Sequence, residues 1–419
     1  MQTFTLNSDK TEKVQVSSLS SHSIPTSVSS VPSQSQQTTQ KVPTQKKEGE
    51  QPVLSLSSSL SSFSLSSPTP SPSSLLSPET PKFKVLVTGN AGFIGGHTSE
   101  RLLKRGTAVV GVDEVNDYYD LNQKEHNLQI QEQISQQTGT YYQFYHADIC
   151  NMALMEKIFA KEKPDVVCHL AARAGVRPSL EDPFLYIQTN IQGTVILLEL
   201  ARKHGVKNFV YASSSSVYGS NTKVPFSESD PVDHPVSQYA ATKRSTELMA
   251  STYHQLYKLN VTGLRFFTVY GPRGRPDMAP FKFVDRIFKE TPIDKYGDGS
   301  SCRDYTYIDD IVTGVVSAID HPLGCEVVNL GNSQVVSLNE FISVVEECVG
   351  KKAIIKQLKE QPGDVPITYA DCTKAQQLLG YSPQWDIRKG MKSFVNWYID
   401  FQNRENTPLC SSGSDSDNN

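Results

Sequence analysis

The sequence predicts an α/β fold: a doubly wound parallel sheet followed by a smaller C-terminal domain. Three observations carry that prediction. From Phe83 onward, short apolar runs alternate with longer segments of helical periodicity. The first run breaks into three glycines at spacing three, Gly89, Gly92 and Gly95. Polar residues able to do chemistry collect just past the ends of the runs, where a parallel sheet presents its ligand edge.

The first strand is read at Phe83 to Val87, leading through Gly89, Gly92, Phe93, Ile94 and Gly95 into a helix. Free amides at such a helix start can face a pyrophosphate. The spacing is G-x-x-G-x-x-G, not the G-x-G-x-x-G of the general dinucleotide fingerprint. The second strand, Ala108 to Val112, ends at Asp113, eighteen residues after Gly95. A carboxylate there can accept from an adenosine ribose and would repel a 2′-phosphate. No basic residue follows in Glu114-Val115-Asn116, so the expected cofactor is NAD.

The third strand, Tyr142 to Tyr145, precedes Asp148 and Ile149, which suit an adenine amine and ring face, although Asp148 would equally suit a helix cap. The fourth, Asp165 to Cys168, leads into His169 to Arg173, where the small Ala171 and Ala172 let a cofactor approach. The fifth, Asn208 to Ala212, runs into four serines, Ser213 to Ser216, which cost β propensity and fit a reactive edge better than a core. The sixth is Val261 to Arg265, after which the alternation loosens into Gly-Pro and Asp-Gly turns. Residues 82–265 are therefore read mainly as the cofactor domain. Residues 266–403 are read mainly as the second domain, with segments returning to the first.

Composition bounds the rest. Residues 1–81 hold two aromatics, one glycine and no arginine, and thirteen of the twenty-five residues from Leu54 to Pro78 are serine. Such a segment buries too little apolar area to offset its ordering entropy, so 1–81 and 404–419 are expected to be disordered tails. The formal net charge of -4 argues against a nucleic-acid binder. Seven scattered cysteines without metal-ligand spacing suggest reduced thiols and no metal site. No stretch reaches the ~18 apolar residues of a membrane span. The expected compartment is the cytoplasm, with a plastid as the alternative if the serine-rich N-terminus is a transit peptide.

Tyr239-Ala240-Ala241-Thr242-Lys243 supplies an acid/base pair. Tyr and Lys four apart share a helix face, and an ammonium there favours the phenolate of a group whose reference pKa is about 10. With the glycine turn, this reads as hydride chemistry on an alcohol.

The glycine turn, the serine-rich strand end and the Tyr/Lys pair, in this order, resemble the extended short-chain dehydrogenase/reductase superfamily, whose sheet is of Rossmann type. Leu264 to Ala279, Asn116 to Asp120, Ala174 to Arg177, Gln361 to Val365 and Leu379 to Pro383 look like its UDP-glucuronate 4-epimerase branch. The resemblance covers about residues 83–400. It implies a UDP-sugar substrate, bound NAD and a homodimer. It also implies that Ser214, twenty-five residues before Tyr239, shares the reacting oxygen with the tyrosine. Lys243 would hold the cofactor ribose.

Carried over by motif, Ser215 and Ser216 would touch the sugar, Thr268 would lie near its carboxylate, and Arg275 would reach the anionic groups. Tyr296 would lie at the uracil and Arg303 on the uridine-diphosphate side, with Arg177 a further anionic contact. The implied reaction inverts C4 through a 4-keto sugar. Related decarboxylases carry a glutamate where Ser216 stands, and related 4,6-dehydratases an Asp-Glu pair across Ser215 and Ser216. UDP-galactose 4-epimerases normally have Asn in place of Thr268. An idle NAD-binding scaffold would be expected to lose Tyr239, Lys243 or Ser214. Two departures, Arg273 for an aromatic and Arg173 for a glutamine, are expected to alter only the rim of the site.

Overall fold

The computed structural model describes residues 83–360 and 365–405. The tails at 1–81 and 404–419 and the motif residues Gln361 to Asp364 lie outside these, apart from Arg404 and Glu405, which continue the last helix.

Thirteen strands occur among the described residues. They are β1 (Lys84–Thr88), β2 (Ala108–Asp113), β3 (Tyr142–His146), β4 (Val166–His169), β5 (Asn208–Ser214), β6 (Val261–Phe266), β7 (Thr268–Tyr270), β8 (Ile293–Tyr296), β9 (Cys302–Arg303), β10 (Tyr305–Tyr307), β11 (Cys325–Leu330), β12 (Val336–Ser337) and β13 (Ile355–Leu358). Seven form the parallel sheet, in the order β11-β6-β5-β4-β1-β2-β3. Six of these match the apolar runs to within two residues at either end. The seventh, β11, was not anticipated: it comes back from the C-terminal half to pair with β6.

The chain winds outward from β1 to β3, then returns to place β4 on the other side of β1. That reversal opens a crevice beyond the carboxyl ends of β1 and β4, the place where such sheets take ligands.

Side-chain alternation explains the layers. Val85 and Val87 of β1 pack with Leu102, Leu103 and the helix carrying Ile311 to Ile319, while Leu86, between them, joins Met155, Phe159 and Leu197 on the other face. The helices concerned are α1 (Phe93–Lys104), α2 (Leu121–Thr138), α3 (Met152–Glu162), α4 (Pro178–Glu181), α5 (Pro183–Tyr186), α6 (Gly193–Lys203), α7 (Gln238–Tyr257), α8 (Ala279–Phe288), α9 (Ile308–Asp320), α10 (Leu338–Val349), α11 (Thr373–Leu379) and α12 (Ile387–Glu405). A third core joins α8, α10 and α12, with Tyr305 stacked on Phe341 at 4.4 Å between centroids. Phe93 at the start of α1 belongs to that third core, so the glycine turn is wedged between the sheet and the C-terminal helices.

Candidate active site

The glycines at the end of β1 are needed for close approach. Gly89 has φ +72°, and a Cβ there would lie 2.8 Å from the Ala171 nitrogen; at Gly95 it would lie 2.1 Å from the Gly89 oxygen. Gly92 caps α1 without any side-chain hydrogen bond, leaving the first amides of the helix for an anion. Asp113 braces this turn, accepting from the Val115 amide at 2.8 Å and the Ala91 amide at 3.1 Å. Burial pushes its carboxyl up, and those two amides pull against it.

One cavity is lined by Gly89, Gly92, Phe93, Ile94, Gly95, Asp113, Asp148, Ile149, Ala171, Ala172, Ser214, Ser215, Ser216, Tyr239, Lys243, Thr268 and Arg275. Every residue expected at the cofactor or the reacting carbon lies on it. Asp148 does not cap α3: its carboxylate takes the Cys150 amide at 2.8 Å, and Asn151 accepts from Leu154 as the cap. Three of the expected substrate contacts stand off the lining. Arg177 lies over the Tyr296 ring at 5.3 Å, and Arg303 donates to the Cys302 carbonyl at 2.8 Å.

His169, at the end of β4, is a structural ligature. The Thr194 hydroxyl donates to the Asn190 carbonyl at 2.6 Å, so His169 Nε2–H donates to Thr194 at 2.9 Å and Nδ1 accepts from Thr88 at 2.8 Å. Burial lowers its pKa to about 3, which keeps the ring neutral as this chain of bonds requires.

The Tyr239–Lys243 end of the cavity is built on α7, whose cap Ser237 accepts from the Ala240 amide. Lys243 is 4% exposed, donates to the Ala212 carbonyl at 2.8 Å, and has its pKa lowered to about 8 by burial. Its Nζ lies 5.9 Å from the centre of the Tyr239 ring. Burial pushes the Tyr239 phenol up, and the groups pulling it down are the Ser214 hydroxyl and the Arg275 charge. Lys243, expected to supply that pull, has its ammonium engaged by the Ala212 carbonyl instead. Arg275 forks onto Asp277 at 3.0 and 2.6 Å, and the other N–H groups of the guanidinium remain.

Three features escaped the sequence reading. Asn190, buried in a π-helical turn at Ile187–Gln192, accepts from the Arg173 amide at 2.8 Å and donates to the Arg173 carbonyl and the Thr242 hydroxyl, each at 3.0 Å. It ties the loop after β4 to the helix between Tyr239 and Lys243. A polar Asn inside an otherwise amphipathic helix was the available signal. Ser213 donates to Glu247 at 2.6 Å and belongs to the framework rather than the cavity edge alone. Finally, the charge around Asp113 is richer than its neighbours in sequence suggest, because Lys124 arrives from α2 and Arg173 from the loop after β4, both on the lining.

The family described as GDP-mannose 4,6 dehydratase matches residues 86–394. A UDP-glucuronate 4-epimerase of Thermodesulfobacterium geofontis is 46% identical over 328 residues, 78% of this chain and 98% of that protein. The chain belongs to the UDP-glucuronate 4-epimerase family. The crystal structure of UDP-glucuronic acid 4-epimerase from Bacillus cereus in complex with UDP-glucuronic acid and NAD matches with a TM-score of 0.70 at 37% identity, covering 76% of this chain and 99% of that one. A UDP-glucose 4-epimerase from Thermotoga maritima with UDP-glucose gives 0.69 at 33%, with the same coverage.

Set against the pattern of the UDP-glucuronate 4-epimerase family, the two departures part company. Arg273 is not at the rim. It is 6% exposed, donates to Glu100 at 2.5 Å and to Asn127 at 3.2 Å, and lies 3.0 Å from His97 Nδ1. A buried guanidinium stays where it finds an anion and acceptors, and here α1 and α2 supply them. Arg173 does lie on the cavity, paired with Glu114 at 2.8 Å.

Proposed function

We propose that this protein interconverts UDP-glucuronate and UDP-galacturonate through a 4-keto sugar, with NAD as resident cofactor. The convergence of Ser214, Tyr239, Lys243 and Arg275 on the cavity that holds the glycine turn carries this reading. The residues fit the dinucleotide: the turn around Gly89 and Gly95 leaves no space for side chains, the start of α1 is uncapped, and Asp113 ends β2 on the same cavity. Gly89, Gly92, Phe93, Ile94 and Gly95 would hold its pyrophosphate, Asp113 the adenosine ribose, Asp148 and Ile149 the adenine, and Lys243 the nicotinamide ribose. When bound, NAD supplies a hydride acceptor that later returns the hydride to the opposite face of the sugar.

Tyr239 takes the proton of the C4 hydroxyl, with Ser214 sharing that oxygen. Arg275 opposes the rise that burial imposes on the phenol, so an arginine expected at the substrate's anions also helps the base. Thr268 and Arg275 hold the C5 carboxylate. A carboxylate β to a ketone is lost readily when its C–C bond stands perpendicular to the carbonyl plane, so the site must keep that group near the plane. Ser215 and Ser216 put hydroxyls where decarboxylases and dehydratases carry acids, which favours epimerisation although the matching family is described by a dehydratase.

Incubation with UDP-glucuronate, with the product sugar identified and carbon dioxide measured, tests this. UDP-galacturonate without stoichiometric carbon dioxide is the expected outcome. UDP-glucose, which lacks the anion, should be disfavoured by on the order of 10² to 10³. The Thermotoga maritima likeness makes a galactose-type epimerase the second reading, and equal rates on both sugars would establish it.

Association as a homodimer is supported by exposed Leu180, Phe184, Leu248 and Leu256 on the adjoining helices α4, α5 and α7; a sedimentation mass of one chain would refute it. Among the described residues no helix is long and apolar enough to cross a membrane. A cytoplasmic location is the compartment in which tagged full-length protein should be found, and accumulation in a plastid would replace it.

A further inference from the structure

We propose that the Glu114–Arg173 ion pair is a strap across the adenosine half of the cofactor cleft that slows the release of NAD, an inference that rests on the NAD reading above. The sheet order decides the geometry. Glu114 directly follows β2 and Arg173 lies in the loop after β4, while β1 runs between those two strands. A bond joining the two loops therefore spans the carboxyl end of β1, above the glycine turn. Arg173 Nη2 meets Glu114 Oε1 at 2.8 Å, and both residues line the cavity.

Each end of the strap is braced. The Arg173 backbone is clamped at both its amide and its carbonyl by Asn190. On the other side, His146 Nε2 lies 2.8 Å from the Glu114 carbonyl, and Asn116 donates to the Glu114 carboxylate. Asn116 is in turn held by Lys124 Nζ, at 2.6 Å to its carbonyl and 2.9 Å to its side-chain oxygen. Braced ends reduce the entropy lost when the pair closes, the term that makes most surface ion pairs weak. The two side chains are 17% and 32% exposed, so solvent screens the pair only in part. Arg173 Nε is buried with no hydrogen-bond acceptor among the described residues, which leaves one N–H for an atom of the bound nucleotide.

An epimerase returns its cofactor to the starting state in every cycle, so a strap of this kind need not open during turnover. Only cofactor exchange has to break it. Small Ala171 and Ala172, on the same loop, leave the space beneath it free.

The test is a chase experiment on the full-length holoenzyme. Protein loaded with labelled NAD is mixed with excess unlabelled NAD, and the label remaining bound is followed for the parent, Glu114→Gln, Arg173→Gln and the double variant. Each single variant should release label roughly twofold to fivefold faster, the upper part of the range that ion pairs near the surface contribute. The double variant should be no faster than Arg173→Gln alone, because once Arg173 is gone the loss of Glu114 removes nothing further from the strap. Added salt should speed release from the parent more than from the double variant. Arg173→Lys, which keeps the charge, should release label at a rate nearer the parent's. Parent-like release from both single variants, additive effects in the double variant, or Arg173→Lys matching Arg173→Gln would each overturn the strap while leaving NAD as the cofactor. A parent that binds no labelled NAD would overturn the cofactor reading, and the strap with it.

Discussion

Lys243 and Glu247 sit one turn apart on α7, both almost fully buried, and the fold treats their charges in opposite ways. Glu247 receives the Arg265 guanidinium at 2.8 and 2.9 Å, the Ser213 hydroxyl at 2.6 Å and Arg244 at 3.1 Å. Burial alone would push its carboxyl up, and Arg265 holds it below the usual range instead. Lys243 has a single backbone carbonyl and, among the described residues, no anion. The same helix thus carries a neutralised ion pair that fixes α7 against β5 and β6, and beside it a charge left uncompensated in a cavity. The difference teaches where a fold spends stability: a neutralised charge builds the frame, and an exposed need marks the place where a ligand completes the site.

That contrast is open to direct attack, and the largest effect belongs to the uncompensated side. Tyr239→Phe should lower turnover by at least the ~10² expected of a lost general base, while NAD extracted from the purified protein stays stoichiometric. Near-normal turnover would remove Tyr239 from the mechanism and with it the reason for a buried Lys243.

On the compensated side, Glu247→Gln strands Arg265, and breaking one member of a buried pair costs about 3–5 kcal/mol. Urea unfolding should show that loss directly. A change under about 1 kcal/mol, within the range of an exposed pair, would mean that the pair is not framing anything.

Lys243→Met should act with the opposite sign on stability. The folded protein holds this amine at about 8 against an ordinary 10.5, so at neutral pH folding must bury a charge. Removing that charge should stabilise NAD-free protein by roughly 1–3 kcal/mol at pH 7, and activity should fall. Between about pH 8 and 10.5 the unfolded chain binds the proton and the folded one does not, so the parent gains stability as pH rises and the advantage of the variant shrinks. A variant no more stable than the parent at pH 7 would show that Lys243 is compensated after all.

The smallest effect is expected from deleting residues 1–81. Their composition supplies no core, so the melting temperature and activity of the purified enzyme should stay almost unchanged. A large loss of either would tie that segment to one of the two sides compared above.

Much of the fold was legible because its signals are local. Runs such as Val85 to Val87 are apolar on both faces since the strand is buried between two helical layers. Gly89 and Gly95 mark the turn after β1 because no other residue fits the approach of backbone to backbone. Strand β11 was missed for a matching reason. Its run, Cys325 to Leu330, contains Glu326 and Asn329 and lies in turn-rich sequence, and Asn329 is tolerated only because Tyr218, Glu228, Phe226 and Asp371 satisfy it from elsewhere. Arg273 was misplaced because the motif around it faces the site while its own side chain turns into α1 at φ +61°.

By itself the sequence determined the alternation of strands and helices, the glycine turn, and the spacing of Ser214, Tyr239 and Lys243, because periodicity and backbone sterics act over a few residues. Only the tertiary structure decided which charges find partners. Arg173 meets Glu114, Arg273 meets Glu100 and Arg265 meets Glu247, while Lys243 meets no anion among the described residues. Burial and Coulomb interactions depend on distance in space, and residues 18 to 173 positions apart come together only when the sheet has closed.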